Sequence, residues 1–296
     1  MQGYHIPVLL NEVLEFLHVE KGKKYIDATL GDGGHTIEIL KLGGHVLGLD
    51  YSPLSLENSV QRIKTLNLSA FFTPVLGNFA NIYTLAKEHD FSDVSGILFD
   101  LGYSSTQLES EGMSFLQDQV LDMRIDKSLG VTAKDLVNAL SEQELARLFQ
   151  EFGEERLAKR FAKAIVDYRR LKKFETTTQL SELIKASAPL SYDNQRIHPA
   201  TRVFMALRIA VNNELENLRD ALPRAAQLIM ESTLPAGRIG IISFHSLEDF
   251  IVKSFGKTVQ PVIKELTSKP IVPTLAETKE NSRSRSAKMR VFEKTV

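Results

Sequence analysis

The sequence predicts an α/β fold in which a doubly wound parallel sheet is interrupted by a helical insertion. Strand and helix patterns alternate over the first hundred residues, which is typical of parallel βαβ units. Helical periodicity replaces this alternation from about 132 to 190, and the alternation then returns. With 296 residues, of which 43% are hydrophobic, the chain has ample material to bury such a core.

The first two predicted strands flank a glycine cluster. KYIDATL (24–30) is the first strand, and a helix follows the glycines as far as about Leu42. HVLGLD (45–50) is the second strand. Ser52 then offers a helix N-cap, with Pro53 at the first helical position, where its missing N–H costs nothing.

The next two strands complete the first half of the sheet. AFFTPVL (70–76) is the third strand, and Pro74 favours an edge position because it donates no hydrogen bond to a neighbour. NIYTLAKEHD is predicted to be helical, and VSGILFDLG (94–102) is the fourth strand.

The insertion is predicted from amphipathic helical stretches, LVNALSEQELARLFQEF, RLAKRFAKAIVDYRRLKKF and TTTQLSELIKASAP. In the second stretch, four apolar residues fall on one helix face: Leu157, Phe161, Ile165 and Tyr168. A long helical stretch is then predicted at about 201–231. It leads into RIGIISF (238–244), an apolar run typical of a buried parallel strand.

Composition excludes several classes of protein. The chain has no cysteine, so disulfides and thiolate metal sites are excluded, and we expect no metal site. The net charge of −1 gives no global positive field, so any nucleic-acid surface must be local. MQGYHIPVLLNEV lacks the pattern of a signal peptide, and no apolar run is long enough to cross a bilayer. We therefore expect a cytoplasmic protein.

The segment GDGGHT, between the first strand and its helix, indicates a nucleoside or phosphate loop. Glycines let the backbone approach a ligand closely, and a helix N-terminus supplies amide donors. Asp50 follows the second strand, 19 positions after Gly31, where an acidic residue accepts hydrogen bonds from a ribose. These features fit a dinucleotide or S-adenosylmethionine, and the alternative is a turn that merely joins strand to helix.

Two details favour S-adenosylmethionine. Thr36 replaces the third glycine of the dinucleotide fingerprint G-x-G-x-x-G. Asp27 lies in the first strand, and an acid followed by a glycine cluster is the pattern of S-adenosylmethionine folds. Two other functions stay open from the residues alone: a nicotinamide-dependent oxidoreductase, and a non-catalytic RNA-binding assembly factor that keeps the fold.

Nine segments, taken together and in order, carry a family resemblance. They are HIPVLLNEV (5–13), DATLGDGGHT (27–36), GNFAN (77–81), GILFDLGYSSTQL (96–108), GMSF with LDMRID (112–126), FGEERLAKRFAKAIV (152–166), RIHPATRVFMALRIAVNNEL (196–215), ISFHSLEDFIVK (242–253) and NSRSRSAKMRV (281–291). The chain resembles the 16S ribosomal RNA cytosine-N4 methyltransferases, the MraW or ribosomal RNA small subunit methyltransferase H family. The resemblance covers nearly the whole chain.

The resemblance implies a Rossmann-like class I S-adenosylmethionine-dependent methyltransferase sheet with an inserted all-helical domain. Residues 1–125 and 199–296 are expected to form the methyltransferase domain, the latter with a basic C-terminal segment, and 126–198 the insertion for RNA recognition. The implied reaction moves a methyl group from S-adenosyl-L-methionine to the N4 amine of a cytosine near the decoding (P-site) region of 16S rRNA. The expected partner is this RNA, within the small ribosomal subunit and without a membrane, and a monomer or homodimer stays open.

The resemblance also implies site residues. The cofactor-binding residues are expected to be Gly33, Gly34, His35, Asp50, Phe79, Asp100 and Gln107, with Phe79 against the adenine. The family usually has Val-Ser-Ser-Pro where this chain has YSST (103–106), and losing the proline loosens the loop before Gln107.

Three residues are candidates for the chemistry. Asp100 ends the fourth strand, where it can orient the amine and the cofactor, although an Asp there can also merely cap the loop. Tyr103 can stack on an extruded base. His245 follows the fifth strand and is a candidate for a substrate role, while Ser246 and Asp249 in FHSLED are interpreted as a helix cap.

Two concentrations of positive charge are candidates for RNA binding. From Arg156 to Lys173 there are eight basic residues and one acid, and from Lys279 to Lys294 six basic residues and two acids. The candidate RNA-binding residues are Arg156, Lys159, Arg160, Lys163, Arg170, Arg283, Arg285, Lys288 and Arg290. The alternative is a solvated helix face, which a charge run usually is.

Overall fold

The computed structural model describes residues 6–104, 107, 112–189, 192 and 198–295. The chain forms two compact units, Met1–Thr106 with Leu215–Val296, and Gln107–Glu214. The second unit extends further at both ends than the expected insertion, 126–198, because residues on both sides of that segment pack into its core.

The first unit is built on a seven-stranded sheet with the order β3-β2-β1-β4-β5-β7-β6. The strands are β1 (Lys24–Asp27), β2 (His45–Asp50), β3 (Phe72–Leu76), β4 (Val94–Asp100), β5 (Arg238–Ser243), β6 (Ile263–Glu265) and β7 (Lys288–Lys294). Strands β1 to β5 are parallel, whereas β7 is antiparallel to both β5 and β6. The predicted doubly wound α/β class is confirmed, and the strand order reverses between β1 and β4, where such sheets bind ligands.

Helices of the first unit connect these strands. They are α1 (Leu10–Phe16), α2 (Gly34–Lys41), α3 (Pro53–Thr65), α4 (Ile82–Glu88), α10 (Glu214–Glu231), α11 (Ser246–Thr258) and α12 (Leu275–Glu280). Glu214, the first residue of α10, is the last residue of the second unit, and the five described helices between α4 and α10 belong to that unit. Short 3₁₀ turns occupy Ser69–Phe71, Phe79–Asn81 and Ser282–Ser286. Within the described residues, no helix combines the length and apolarity that a membrane crossing needs.

Several local predictions are confirmed. The Ser52 hydroxyl accepts the Ser55 N–H at 3.2 Å, and Pro53 is the first residue of α3. Pro74 lies on β3, which is an edge strand. The helical stretch predicted at about 201–231 is confirmed, and it consists of two helices because Asn213 adopts a left-handed φ of 52° between them.

The second unit is helical, as predicted for the insertion. Its helices are α5 (Ala133–Ala139), α6 (Glu142–Glu151), α7 (Ala158–Arg169), α8 (Thr177–Ser187) and α9 (Ala200–Asn212). Three of these helices begin with a capping box: Thr132 caps α5, Ser141 caps α6 and Thr176 caps α8. The capping box at Ser141 divides the first amphipathic stretch into two helices.

The predicted apolar face of α7 forms part of this unit's core. Phe161 and Ile165 are fully buried, and Leu157 and Tyr168 pack against the same cluster. Residues Phe149 of α6 and Leu207 of α9 join it. The 3.6-residue periodicity therefore identified the buried side of α7 correctly.

Candidate functional site

The glycine loop between β1 and α2 has a backbone that only glycine fits well. Gly33 has a φ of 75°, a conformation that residues with a side chain rarely adopt. A Cβ atom at Gly34 would lie 2.7 Å from Cγ of Pro7, which is too close for a side chain. Both glycines are therefore required by the geometry of the loop and of the segment packed over it.

The first turn of α2 presents backbone donors at this loop. The Ile37 N–H bonds the Gly33 carbonyl at 2.9 Å, which begins the hydrogen-bond ladder of the helix. The N–H groups of Gly34, His35 and Thr36 precede that ladder and have no carbonyl within the helix to bond. Such a turn is suited to hydrogen bonding the polar atoms of a ligand.

Asp50 connects the end of β2 to the glycine loop. Its Oδ2 accepts the Gly31 N–H and its Oδ1 the Ser52 N–H, each at 2.8 Å. Burial raises the pKa of this carboxyl to about 6, and the two hydrogen bonds oppose the rise. Because each carboxylate oxygen has two lone pairs, Asp50 can still accept hydrogen bonds from a vicinal diol.

Asp27 supports the loop from the end of β1. Its Oδ2 accepts the Thr36 hydroxyl at 2.7 Å, and its Oδ1 accepts the Thr29 N–H at 3.2 Å. The side chain is buried, and this burial raises the pKa of the carboxyl. Asp27 therefore holds both ends of the loop together.

The His35 ring is buried beneath the loop. Its Nε2 lies 3.0 Å from the Val8 carbonyl oxygen, which only accepts hydrogen bonds, so Nε2 carries the proton and Nδ1 has a lone pair. Burial lowers the pKa of the imidazole, which keeps the ring neutral. The ring is used to support the loop, so a cofactor contact of His35 would be made by its backbone N–H. This contact stays a prediction.

Asp100 ends β4 with a carboxyl that titrates near neutrality. Its Oδ1 accepts the Gly102 N–H at 3.2 Å, and its Oδ2 lies 3.6 Å from Nδ1 of His35. Burial raises the pKa of Asp100 to about 7, with a smaller contribution from the negative charge of Glu248. Asp100 can therefore exchange between proton acceptor and neutral acid at physiological pH.

The parallel strands bring these groups to one edge of the sheet. The glycine loop, Asp50 and Asp100 follow the carboxyl ends of β1, β2 and β4. Phe79 follows β3, half-buried, with its ring centroid 5.9 Å from that of Phe99 in an edge-on contact. A Cβ atom at Gly31 would lie 3.2 Å from Cβ of Ser104, so the loop after β4 reaches the glycine loop.

Two further predicted positions, Tyr103 and Gln107, have roles that stay predictions. Tyr103 is half-buried in the loop after β4, and its stacking on a base stays a prediction. Gln107 is buried and is the first residue of the second unit, so its cofactor contact also stays a prediction. The family departure at residues 105 and 106 lies outside the described residues.

His245 caps α11, where the sequence had indicated Ser246. Its Nδ1 accepts the Glu248 N–H at 3.4 Å, while the Glu248 carboxylate accepts the His245 N–H at 3.2 Å. Nε2 lies 3.1 Å from the same carboxylate. The assignment of Ser246 as cap is wrong, because Ser246 is already the first helical residue of α11. His245 therefore has a structural role as the cap, and its substrate role stays a prediction.

Replacing His245 with alanine is expected to lower the free energy of unfolding by about 1 kcal/mol, the usual cost of losing an N-cap. Lys253→Ala, at an exposed position of the same helix, is the control and should change this free energy by less than about 0.5 kcal/mol. Urea denaturation followed by circular dichroism measures both values. Equal losses in the two variants would contradict the assignment of His245 as the cap.

The basic residues of the second unit separate into two groups. Arg156, Lys159 and Arg160 are exposed at the start of α7. The Asp167 carboxylate lies 2.9 Å from the Lys163 ammonium and 3.2 Å from the Arg170 guanidinium, which partly neutralises both charges.

The basic C-terminal residues also differ in surroundings. Arg290 is buried, and its guanidinium bonds Asp249 and Glu265 at 2.8 Å each. These two carboxylates neutralise much of its charge within the fold, and an RNA contact of Arg290 stays a prediction. Lys288 lies 3.4 Å from Asp249, and Arg285 is exposed. Arg283 is half-buried, and its RNA contact stays a prediction.

Sequence reasoning missed two supporting residues. The Thr29 hydroxyl accepts the Asp100 N–H at 2.6 Å, which fixes the end of β4 against the loop. The Arg62 guanidinium donates to the Asp32 carbonyl at 3.0 Å and holds the glycine loop against α3. Neither residue has a local sequence signal, because each acts through a contact between distant parts of the chain.

The chain is similar to known proteins over nearly its whole length. The sequence profile of the MraW methylase family matches residues 2–295. Ribosomal RNA small subunit methyltransferase H of Carboxydothermus hydrogenoformans is 41% identical, with 99% of each chain covered. The protein of the same name from Syntrophotalea carbinolica is 42% identical, with 97% of each chain covered. An rRNA methylase structure from Streptococcus thermophilus aligns over 98% of this chain and 99% of its own, with a TM-score of 0.46 and 12% identity.

Proposed function

The chain belongs to the MraW methylase family, and on that premise we propose that it methylates 16S ribosomal RNA at the N4 amine of a cytosine near the decoding (P-site) region, using S-adenosyl-L-methionine. The names of the relatives, ribosomal RNA small subunit methyltransferase H, support an rRNA substrate. The observation that carries the proposal is the grouping of the glycine loop, Asp50 and Asp100 at one edge of the sheet.

The residues at this edge fit an adenosyl sulfonium. Gly33 and Gly34 let the loop pack closely against α3 and Pro7, and the first turn of α2 offers N–H groups to a ligand. Asp50 is placed to accept hydrogen bonds from the ribose hydroxyls. Phe79 offers an apolar ring for the adenine. The carboxylate of Asp100 favours a cationic sulfonium.

The protein's main task is to place a weak nucleophile. The bound cofactor supplies an activated methyl group, whereas the lone pair of the cytosine amine is delocalised into the ring. Holding the amine at near-attack distance can supply roughly 7–11 kcal/mol of the barrier reduction. Asp100 is placed to accept a hydrogen bond from the amine, direct its lone pair towards the methyl carbon and receive the proton released on transfer.

Equilibrium dialysis tests the cofactor assignment. The protein is dialysed against labelled S-adenosyl-L-methionine and, separately, against labelled NAD. We expect saturable binding of the first cofactor and none of the second at the same concentrations. Binding of NAD alone would instead support an oxidoreductase. A methyl-transfer assay with 16S rRNA then separates an enzyme from an assembly factor that only binds RNA.

The exposed start of α7 is the surface we propose for RNA contact in the second unit. Arg156, Lys159 and Arg160 are exposed there, and phosphate contacts from such residues position RNA without reading its sequence. Lys163 and Arg170 contribute less because Asp167 already pairs with both. The substrate is the RNA of the small ribosomal subunit, which places the reaction in the cytoplasm.

Charge-reversal variants are expected to show that the exposed basic residues at the start of α7 contribute more to RNA binding than the two basic residues paired with Asp167. Lys159→Glu with Arg160→Glu should weaken binding to a 16S rRNA fragment and reduce the slope of log affinity against log salt by about one to two. The matched double variant, Lys163→Glu with Arg170→Glu, should reduce this slope by less. Filter binding between low and physiological salt measures both slopes. An unchanged slope in the first variant would assign its residues to solubility.

A further inference from the structure

A second concavity of the first unit lies beside the carboxyl end of β5. Its volume is about 520 Å³, a size that accommodates a nucleotide. Phe244, Val272 and Pro273 contribute apolar surface to its lining, and Arg285, Ser286 and Lys288 contribute positive charge and a hydroxyl. We call these six residues the β5 pocket.

The β5 pocket lies next to the loop that follows Asp100, and the side chain of Phe244 separates the two. A Cβ atom at Gly102 would lie 2.9 Å from the Phe244 ring, so this ring packs directly on the backbone after β4. Asp100 is also the register partner of Ile242, two residues before Phe244. A molecule in the pocket and a base held at Asp100 are therefore neighbours across Phe244.

The charges of the pocket suit a phosphate group. Arg285 is exposed, and among the described residues no carboxylate lies within 4 Å of its guanidinium. Lys288 contributes an ammonium that is 44% exposed, although Asp249 lies 3.4 Å away. The Ser286 hydroxyl is exposed beside them. Arginine, lysine and serine side chains are common partners of nucleic-acid phosphates.

The apolar side of the pocket suits a base or ribose. Val272 is 57% exposed, and the half-buried Pro273 adjoins it. Apolar surface next to a cationic group is the combination that single-stranded nucleic acid uses, with bases on the apolar part and phosphates on the charge.

We propose that the β5 pocket binds a nucleotide adjacent to the target cytosine, with its phosphate on Arg285 and Lys288 and its base against Val272 and Pro273. The inference rests on the proposed function, because it takes RNA as the substrate. A base that is extruded for reaction needs its strand to be held on at least one side. The pocket supplies that hold from within the unit that carries Asp100.

The test uses the full chain and a fluorescein-labelled hexacytidylate RNA. Arg285→Glu removes the proposed phosphate contact, and Val272→Trp fills the pocket without a change of charge. Lys279→Glu is the matched control, because Lys279 is exposed on α12 and does not line the pocket. Fluorescence anisotropy gives the dissociation constant at several salt concentrations, and thermal melting checks that each variant is folded.

We expect Arg285→Glu to raise the dissociation constant about tenfold and to reduce the salt slope by about one, the value for one phosphate contact. Val272→Trp should raise the dissociation constant about fivefold with an unchanged salt slope, because the indole ring fills the space of the base and leaves the charged groups in place. Lys279→Glu should change it by less than about twofold.

Wild-type affinity in both pocket variants would overturn the inference. If Arg285→Glu lost only as much affinity as Lys279→Glu, the effect would be general electrostatics, and the inference would also be overturned. A loss in Arg285→Glu alone would overturn the base contact. Methyl transfer to 16S rRNA by the wild-type protein is measured separately. Its absence, with the binding pattern intact, would remove the proposed function and leave the pocket as an RNA site.

Discussion

Replacing Asp100 with asparagine is expected to lower kcat for methyl transfer to 16S rRNA by about 10²- to 10⁴-fold, the range for loss of a general base. Asparagine has the same shape and can still accept the Gly102 N–H, but it cannot receive the proton of the amine. A radiolabel transfer assay under single-turnover conditions measures the rate.

The control for this variant is Asp90→Asn, in the turn between α4 and β4. Asp90 is exposed and has a φ of 55°, a conformation that asparagine tolerates well. Its rate should match that of the wild-type protein. If Asp100→Asn keeps full turnover and unchanged cofactor affinity, Asp100 has neither the orienting role nor the proton-accepting role.

The pH dependence supplies a second readout for Asp100. Burial raises the pKa of this carboxyl to about 7, so the neutral acid predominates below that pH and the proton-accepting carboxylate above it. We therefore expect kcat/KM for the cofactor to fall as the pH decreases through about 7, because a carboxylate also favours the sulfonium cation. In the Asp100→Asn variant, kcat/KM should not show this decrease as the pH falls through about 7.

The second large effect is expected at Asp50. Asp50→Asn should raise the dissociation constant of S-adenosyl-L-methionine by about 10²- to 10⁴-fold, because two hydrogen bonds from ribose hydroxyls to a charged acceptor contribute about 1.5–3 kcal/mol each. The amide also has one acceptor oxygen in place of two, so one of Gly31 and Ser52 loses its partner. Isothermal titration calorimetry measures the affinity.

The demethylated cofactor, S-adenosylhomocysteine, gives this experiment its control. It has the same ribose but no positive sulfonium, so Asp50→Asn should weaken both ligands equally. Asp100→Asn should weaken the sulfonium more than the neutral thioether, because it removes a negative charge. Unchanged affinity of the Asp50→Asn variant for both ligands would place the ribose elsewhere.

Much of the sheet and the glycine loop followed from local rules. The positive φ of Gly33 and the edge position of Pro74 are consequences of single-residue chemistry, which a sequence displays directly. Asp50 was found because its spacing from Gly31 reflects one βαβ turn. These features depend on few residues that are close in sequence.

The features that the sequence did not show depend on contacts between distant segments. Arg290 belonged to a basic run, but its partners Asp249 and Glu265 come from other elements, and only the fold brings them together. The break at Asn213 interrupts a continuous helical pattern with one left-handed residue. The His245 cap was missed because serine is the commoner N-cap.

The central claim is that the strand-end site delivers a methyl group to a cytosine amine of 16S rRNA. Small ribosomal subunits from cells that lack this protein are incubated with the purified chain and S-adenosyl-L-methionine carrying a deuterated methyl group. The RNA is then digested and mapped by mass spectrometry. We predict that the deuterated label appears on N4 of one cytidine near the decoding region. Label on another nucleoside, or on no nucleoside of the 16S rRNA, would contradict the claim.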